Sequence, residues 1–380
     1  MILRTSLALL VLSSACTRRV EAIDPSCLRV ADGFGAKGTV AVRAEEVASG
    51  LVVPWGLAFL PNGDMLITER PGRVRLVRGG VLAAAPVVTV AVSTEAESGL
   101  LGIALHPDFA ANRFFYLYET VDKAGKRVNR VERFVLAADG LTATAEKVIF
   151  DDAAAAQFHD GGRIRFGPDG MLYIGIGDAR EPDLAQVPEG PNGKVLRLTA
   201  EGQVPADNPG GRAAYILGVR NTQGFDWLDA ATMIISDHGP SGDTGRSGHD
   251  ELSLAKAGDN LGWPTIYACE TKAGLVTPRM TWKDAAPPGG LALYRGTAIP
   301  EWTNSVLIGV LKSTHLQRVV LASTSPFNVV KHEVYFEGEL GRIREVIVGP
   351  DGHLYLTTSN CDGRGSCPAT KDRVLRIVKG

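Results

Sequence analysis

The sequence has almost no net charge of either sign. Forty lysines and arginines stand against forty-two aspartates and glutamates, a formal net charge of −2. No long basic run breaks that balance, which excludes nucleic acid as the main partner. Helical signals are equally scarce: TEAES, DDAAAA and DELSLAKAG are too short for large helices and read as loops or single turns. No CxxC pair offers a metal site. The apolar run from Leu7 to Leu12 is too short to span a membrane. No shift in composition marks a linker or a second domain, and 380 residues suffice for one large all-β domain.

What is abundant is turn chemistry. Forty-four glycines and twenty-one prolines, with no collagen period and no low complexity, imply many short strands joined by tight turns. Three stretches share one pattern: GLAFLPNGDMLITER (56–70), RIRFGPDGMLYIGIGDA (163–179) and REVIVGPDGHLYLTTSN (344–360). Each is an apolar strand, a Pro-[Asn/Asp]-Gly turn and a second apolar strand. Weaker copies lie at 102–120, 224–240 and 304–321, and a further short strand follows many of them, as in GRVRLVRGG, NGKVLRLTAEG and DRVLRIVKG. Such a unit cannot bury its own faces alone. Stacked radially, six of them predict an all-β, six-bladed β-propeller of four-stranded antiparallel sheets over residues 46–380, with 17–45 as a tether.

The first sixteen residues, MILRTSLALLVLSSAC, have one early arginine, an apolar run and small residues before Cys16. That is the shape of a secretory signal, and its ending resembles a bacterial lipoprotein signal. Ser13 stands where a large aliphatic residue is usual, with Leu12 one place early. The expectation is an exported, periplasmic chain tethered to the membrane through lipidated Cys16. Export makes disulfides possible. The remaining Cys27, Cys269, Cys361 and Cys367 allow three pairings. Closure of the loop CDGRGSC through Cys361–Cys367 would leave Cys27 to staple the N-terminal arm to Cys269; four free thiols are the alternative.

Polar residues at strand ends of a propeller meet at its central channel although they are far apart in sequence. In FHDGGRIRFGPDG (158–170) the hairpin needs only the second half, so His159 calls for another explanation. ILGVRNTQGFDW sets Arg220, Asn221 and Gln223 just before a strand. SDHGPSGDTGRSGHDELSL offers His238, Gly239, Pro240, Asp243, Asp250 and Glu251 in a glycine-rich loop. Lys312 follows an apolar strand, and Arg342 and Arg344 alternate and so share one face. Each cation alone fits a surface charge or an inter-blade salt bridge. Arg220, Lys312, Arg342 and Arg344 at equivalent blade positions instead suit a planar polyanion, because arginine binds carboxylates bidentately.

At these residues the chain resembles the soluble quinoprotein glucose dehydrogenases and the related aldose sugar and sorbosone dehydrogenases. The shared motifs are GLLGIALHPDF, FHDGGRI, GVRNTQG, HGP…DEL…NLGWP, GVLK and GRIRE, running from VPWGLAFLPNG near residue 53 to the C-terminus. The resemblance implies a propeller that uses pyrroloquinoline quinone (PQQ), a tricarboxylate, together with Ca2+. It implies oxidation of the C1 hydroxyl of an aldose sugar to a lactone, with electrons passed to a soluble carrier or dye. By position, His159 is then the base, and Arg220 hydrogen-bonds the quinone oxygen where negative charge develops. Asn221, Gln223, Lys312, Arg342 and Arg344 hold the cofactor, and Trp282 covers it. The backbone carbonyls of Gly239 and Pro240 hold calcium, while Asp250 and Glu251 organise that loop, with a second ion as a further option.

Three positions depart from the family. Phe158 replaces an aspartate that precedes the base, which points to the aldose sugar branch and a broader substrate range. Glu97 replaces a glutamine at the cofactor or substrate, and Asp284 replaces a small hydroxyl residue. Both carboxylates would weaken binding of a trianion. The two glycines after His159 are expected to turn the chain into its blade and leave room for a flat ligand. Two other readings of the same architecture are a non-catalytic carbohydrate- or protein-binding propeller and a calcium-dependent lactonase, whose metal wants side-chain carboxylates and asparagines.

Overall fold

The architecture was taken from a computed structural model, which describes residues 22–380. The expectations for the leader and for Cys16 lie outside the described residues. Six antiparallel sheets follow one another around a central axis, each starting at the axis and stepping outward. Blade 1 opens with Pro54–Phe59, Met65–Glu69 and Arg73–Arg78, and blade 2 is Leu100–Leu105, Phe114–Lys123, Lys126–Leu136 and Ala143–Ala154. Blade 3 is Ile164–Phe166, Leu172–Ile176, Lys194–Leu198 and Ala214–Leu217. Blade 4 begins Thr222–Trp227, Met233–Asp237, Asp250–Ala255 and Met280–Trp282; blade 5 is Pro288–Leu293, Ser305–Val310, Leu316–Leu321 and Val329–Tyr335. Blade 6 joins Ile343–Val348, Leu354–Thr358 and Asp372–Lys379 to the N-terminal strand Val42–Leu51. The fold expected from the repeats is therefore present: a six-bladed β-propeller.

The ring closes where the last strand of the chain pairs antiparallel with the first of the propeller, from Asp372 opposite Leu51 to Lys379 opposite Val42. Closure satisfies main-chain groups that would otherwise form an open edge. It also places the start of the propeller at Val42, ahead of the expected 46. The segment read as a tether is, from Ala22 onward, a strap. Ala22–Ile23 pairs with Glu270–Thr271, Leu28–Val30 runs parallel to Met280–Trp282, and Ala36–Lys37 runs parallel to the outer strand of blade 5. A Cys27–Cys269 disulfide fastens this strap to blade 4, and Cys361–Cys367 closes a short loop after the second strand of blade 6.

The three strong repeats fold alike. In each turn the same two backbone bonds recur, Gly63 to Leu60 and Leu60 to Asp64, Gly170 to Gly167 and Gly167 to Met171, Gly352 to Gly349 and Gly349 to His353. The copy at 304–321 supplies strands two and three of blade 5, not one and two. Its inner strand, Pro288–Leu293, is PGGLAL, which carries no hairpin signature. A Cβ on Gly289 would lie 2.5 Å from the Arg344 carbonyl oxygen, and one on Gly290 2.6 Å from the Val346 nitrogen. The inner strands of blades 5 and 6 thus touch backbone to backbone. Hydrophobic cores fill the spaces between neighbouring blades: Trp55, Leu101, Tyr118, Ile164 and Ile174 span blades 1 to 3, and Trp302, Leu307, Leu316, Ile343 and Leu356 join blades 5 and 6.

Candidate active site

In an antiparallel blade the start of the first strand and the end of the second lie at the same end. That geometry gathers residues far apart in sequence around one cavity of about 790 Å³. First-strand starts contribute His159, Arg220, Asn221, Gln223, Arg342 and Arg344, and second-strand ends contribute His238, Gly239, Pro240, Lys312 and Arg364. The four predicted cations therefore converge, although Lys312 arrives from a different blade position than the three arginines. Beneath them the axis is filled. Arg163 and Glu345, both buried, form an ion pair, and the Arg163 Nε donates to the Gln223 carbonyl at 2.8 Å.

His159 is 8 % exposed and holds a left-handed backbone, φ 68°. Its Nδ1 lies 2.7 Å from Asp178 Oδ1. A carboxylate only accepts, so Nδ1 carries the proton and Nε2 keeps its lone pair. Nε2 has no hydrogen bond among the described residues. Asp178 is fully buried and held by the Trp263 indole N–H at 2.8 Å and the Arg180 backbone N–H at 2.8 Å. The His159 ring is thus oriented by a residue nineteen positions later, not by its neighbours. Phe158 cannot do so, and Asp160 is a structural acid bound by Ser98, Asn129 and the Ala156 N–H. Burial pushes Asp160 up to about 6.

The two glycines after His159 do not line the cavity. A Cβ on Gly161 would sit 2.5 Å from the Gly175 carbonyl oxygen, and one on Gly162 2.7 Å from Leu101 Cδ1. They allow the inner strand to pack against its neighbours, and the expected room for a flat ligand comes from elsewhere.

The arginines are placed by acids. Asp237, at the end of the second strand of blade 4, accepts the backbone N–H groups of Arg220 and Asn221, each at 2.7 Å. The Arg220 side chain is gripped by Asp243, Nε to Oδ2 at 2.8 Å and Nη2 to Oδ1 at 3.0 Å. Its Nη1 is left without a hydrogen bond among the described residues. Asp362, in the disulfide-closed loop, binds Arg342 Nε at 2.9 Å and lies 3.8 Å from Arg344 Nη2. Arg344 also donates to the Gln223 side chain, while its buried Nε has no partner among the described residues. Burial lowers the Arg344 guanidinium to about 9.

Glu97 lies in the cavity wall, but its charge is matched. Its Oε2 accepts the His159 backbone N–H at 3.1 Å and the Asn221 amide at 3.2 Å, and its Oε1 pairs with Arg364 at 3.1 Å. Burial acts to raise Glu97, but the pull of His238 and Arg364 and the His159 N–H outweigh it and bring it to about 2. Burial itself holds His238 down to about 3, so at neutral pH Arg364 is the matching cation. The His238 Nε2–H donates to the Pro288 carbonyl at 2.7 Å.

Three expectations are corrected. Trp282 does not cover the cavity: it is 1 % exposed and packs with Val30, Met280 and Leu252 inside blade 4. Asp284 is exposed and absent from the cavity lining, so it opposes no ligand there. Glu251 also stays out, because strand alternation sends it away from Asp250; burial and the nearby Asp237 and Asp250 push it up. Asp250 does line the cavity, its two oxygens accepting the Gly239 N–H at 3.0 Å and the Ala286 N–H at 2.7 Å. Burial pushes it up to about 6. Among the described residues no group of three or more His, Cys, Asp or Glu side chains is placed to hold a metal. Asp178, Asp237 and Asp362 escaped the sequence reading. Two of them shared a signal, an aspartate closing a second strand (GIGD, IISD).

Residues 51–371 match the family described as Glucose / Sorbosone dehydrogenase. The chain belongs to that family. The aldose sugar dehydrogenase of Escherichia coli K12 is 33 % identical over 349 residues, covering 85 % of this chain and 91 % of the relative. A Thermus thermophilus oxidoreductase described as a glucose dehydrogenase superposes with a TM-score of 0.82 at 43 % identity, covering 89 % of this chain and all of its own. The PQQ-bound aldose sugar dehydrogenase of Streptomyces coelicolor gives 0.80 at 34 % identity, covering 91 % and 99 %. This family member thus carries its cavity on the same scaffold as a sugar dehydrogenase seen with the quinone. The family is that of aldose sugar and glucose dehydrogenases, oxidoreductases acting on small sugars.

Proposed function

We propose that the chain is an exported quinoprotein that oxidises the C1 hydroxyl of aldoses to lactones. The single observation that carries this reading is the His159–Asp178 pair, with Nε2 free and facing a cavity walled by cations. A neutral imidazole held in one tautomer is a general base. His159 Nε2 accepts the proton of the anomeric hydroxyl. Asp178 then stabilises the imidazolium across the 2.7 Å bond. Arg220 Nη1 remains available to a developing negative charge, and the Asp243 pair fixes the plane of its guanidinium.

The donor set fits a flat tricarboxylate. Among the described residues Lys312 forms no ion pair, and in the same cavity lining the buried Arg344 Nε has no partner. Lys312, Arg342, Arg344, Asn221 and Gln223 would hold pyrroloquinoline quinone, and the carbonyls of Gly239 and Pro240, hard oxygen donors in the lining, suit calcium. When bound, the quinone supplies the acceptor for the C1 hydride and the ion a Lewis acid. The two disulfides support an oxidising compartment; with the leader they favour export and a tether through lipidated Cys16. Lys312 and the arginines carry no electron further, so a soluble carrier or dye completes the cycle. The test is an aldose deuterated at C1. A primary isotope effect on dye reduction, with lactone as product, is expected; dye reduction without either would contradict the reading.

A further inference from the structure

Six cationic side chains line the cavity: Arg180, Arg220, Lys312, Arg342, Arg344 and Arg364. Four are engaged by acids, Arg220 by Asp243, Arg342 and Arg344 by Asp362, and Arg364 by Glu97. The two with no ion pair among the described residues stand in different settings. Lys312 follows Leu311, whose carbonyl takes the Arg342 Nη1 at 3.2 Å, so it belongs with the cations assigned to the quinone. Arg180 belongs with the base. Its own N–H donates to Asp178 Oδ1 at 2.8 Å, the oxygen that also holds His159. Its guanidinium lies 5.9 Å from the ring centroid of Phe158, which also carries Arg364 at 5.1 Å.

The backbone that delivers Arg180 is strained. Ala179 and Arg180 both hold left-handed conformations, φ 53° and 66°, which residues other than glycine adopt only at a cost. Asp178 rewards the backbone of that placement through the Arg180 N–H, but among the described residues no acid pairs with the guanidinium of this exposed residue. Lys312 stands with the cations assigned to the quinone, and Arg180, the other cation with no ion pair among the described residues, stands in the cavity lining with His159, its N–H bonded to Asp178. The focused positive field at the base side then favours an anionic reactant, and a guanidinium binds carboxylate or phosphate through two parallel hydrogen bonds.

We propose that Arg180 is a specificity-determining residue that receives an anionic group of the sugar, so that the chain prefers aldoses bearing a carboxylate or a phosphate over neutral ones. This rests on the dehydrogenase reading above. C1 loses a hydride and its hydroxyl a proton; the two electrons reduce the quinone and then the dye, and the charged end of the sugar stays unchanged at Arg180.

The experiment compares D-glucuronate, D-glucose 6-phosphate and D-glucose in the calcium- and quinone-loaded chain, by dye reduction and by calorimetric binding. The expected result is a kcat/KM about tenfold higher for an anionic sugar, the difference between charge-assisted and neutral hydrogen bonding. The advantage should reside mostly in KM and shrink with added salt. Arg180→Gln should bring the ratio of anionic to neutral sugar close to one, and Arg180→Lys should restore part of it. Glucuronate against glucose 6-phosphate tells which anion fits. Neutral glucose oxidised with no anionic preference, or a preference that survives Arg180→Gln, overturns the proposal and leaves the dehydrogenase reading standing. Arg180-dependent binding of an anionic sugar without oxidation keeps the subsite and overturns the dehydrogenase reading. Neither binding nor oxidation overturns both.

Discussion

His159 Nδ1 and Asp178 Oδ1 stand 2.7 Å apart because the residues before the first strand and after the second strand of blade 3 meet at the open end of its hairpin. The bond fixes the tautomer that leaves Nε2 basic. Asp178→Asn should therefore keep the fold and lower kcat by roughly 10²–10⁴-fold, the range of a mispositioned general base. Quinone affinity should be unchanged. Circular dichroism, quinone titration and steady-state rates on one preparation check all three.

Glu97 provides a pH signature. Its pKa in the folded chain is brought to about 2, below its ordinary 4.5, so the native state holds the deprotonated form more tightly than the unfolded chain does. The stabilisation is fully present above about 4.5 and is lost as pH falls towards 2. Glu97→Gln should accordingly destabilise at neutral pH, on the order of 1–3 kcal/mol, and converge with the parent chain at the acid end. Thermal melts from pH 2 to 7 measure the difference. Equal melting temperatures at neutral pH would contradict the pairing with Arg364.

The Cys361–Cys367 loop carries Asp362 and Arg364, which hold Arg342, Arg344 and Glu97 in place. The Cys361→Ser/Cys367→Ser variant frees that loop. It should weaken quinone binding by about tenfold, or about 1.4 kcal/mol, with the propeller intact by circular dichroism. Binding unchanged in this variant would show that the arginines need no such clamp.

Trp282 separates packing from ligand contact. Being buried in blade 4, Trp282→Ala should cost about 3–5 kcal/mol of stability. Trp282→Phe should keep nearly normal KM and quinone affinity. A large KM change in the phenylalanine variant, with an unchanged melting temperature, would return Trp282 to the cavity.

The propeller was legible because its strongest copies repeat a whole hairpin, turn included. The blade 5 inner strand was not, since PGGLAL is dictated by backbone contact with blade 6, which leaves no local pattern. The cavity followed a similar division. His159, Arg220, Asn221, Lys312, Arg342 and Arg344 sit in motifs at strand ends, and all six line one space. Their acidic partners Asp178, Asp237, Asp243 and Asp362 lie in the same blades, after the second strand where the first begins, but the separation varies with hairpin and loop length, so no fixed sequence spacing announces the pairs. Trp282 illustrates the reverse error: an aromatic residue near the loop is turned inward by its place on the fourth strand of the blade.

The most direct test of the central claim is a titration of the purified chain with pyrroloquinoline quinone in calcium, followed by absorbance and then by aldose-dependent dye reduction, alongside His159→Ala. The predicted result is saturable binding at micromolar quinone in both proteins, with turnover only where His159 is present. Failure to bind quinone at that concentration, or turnover that survives His159→Ala, would contradict it.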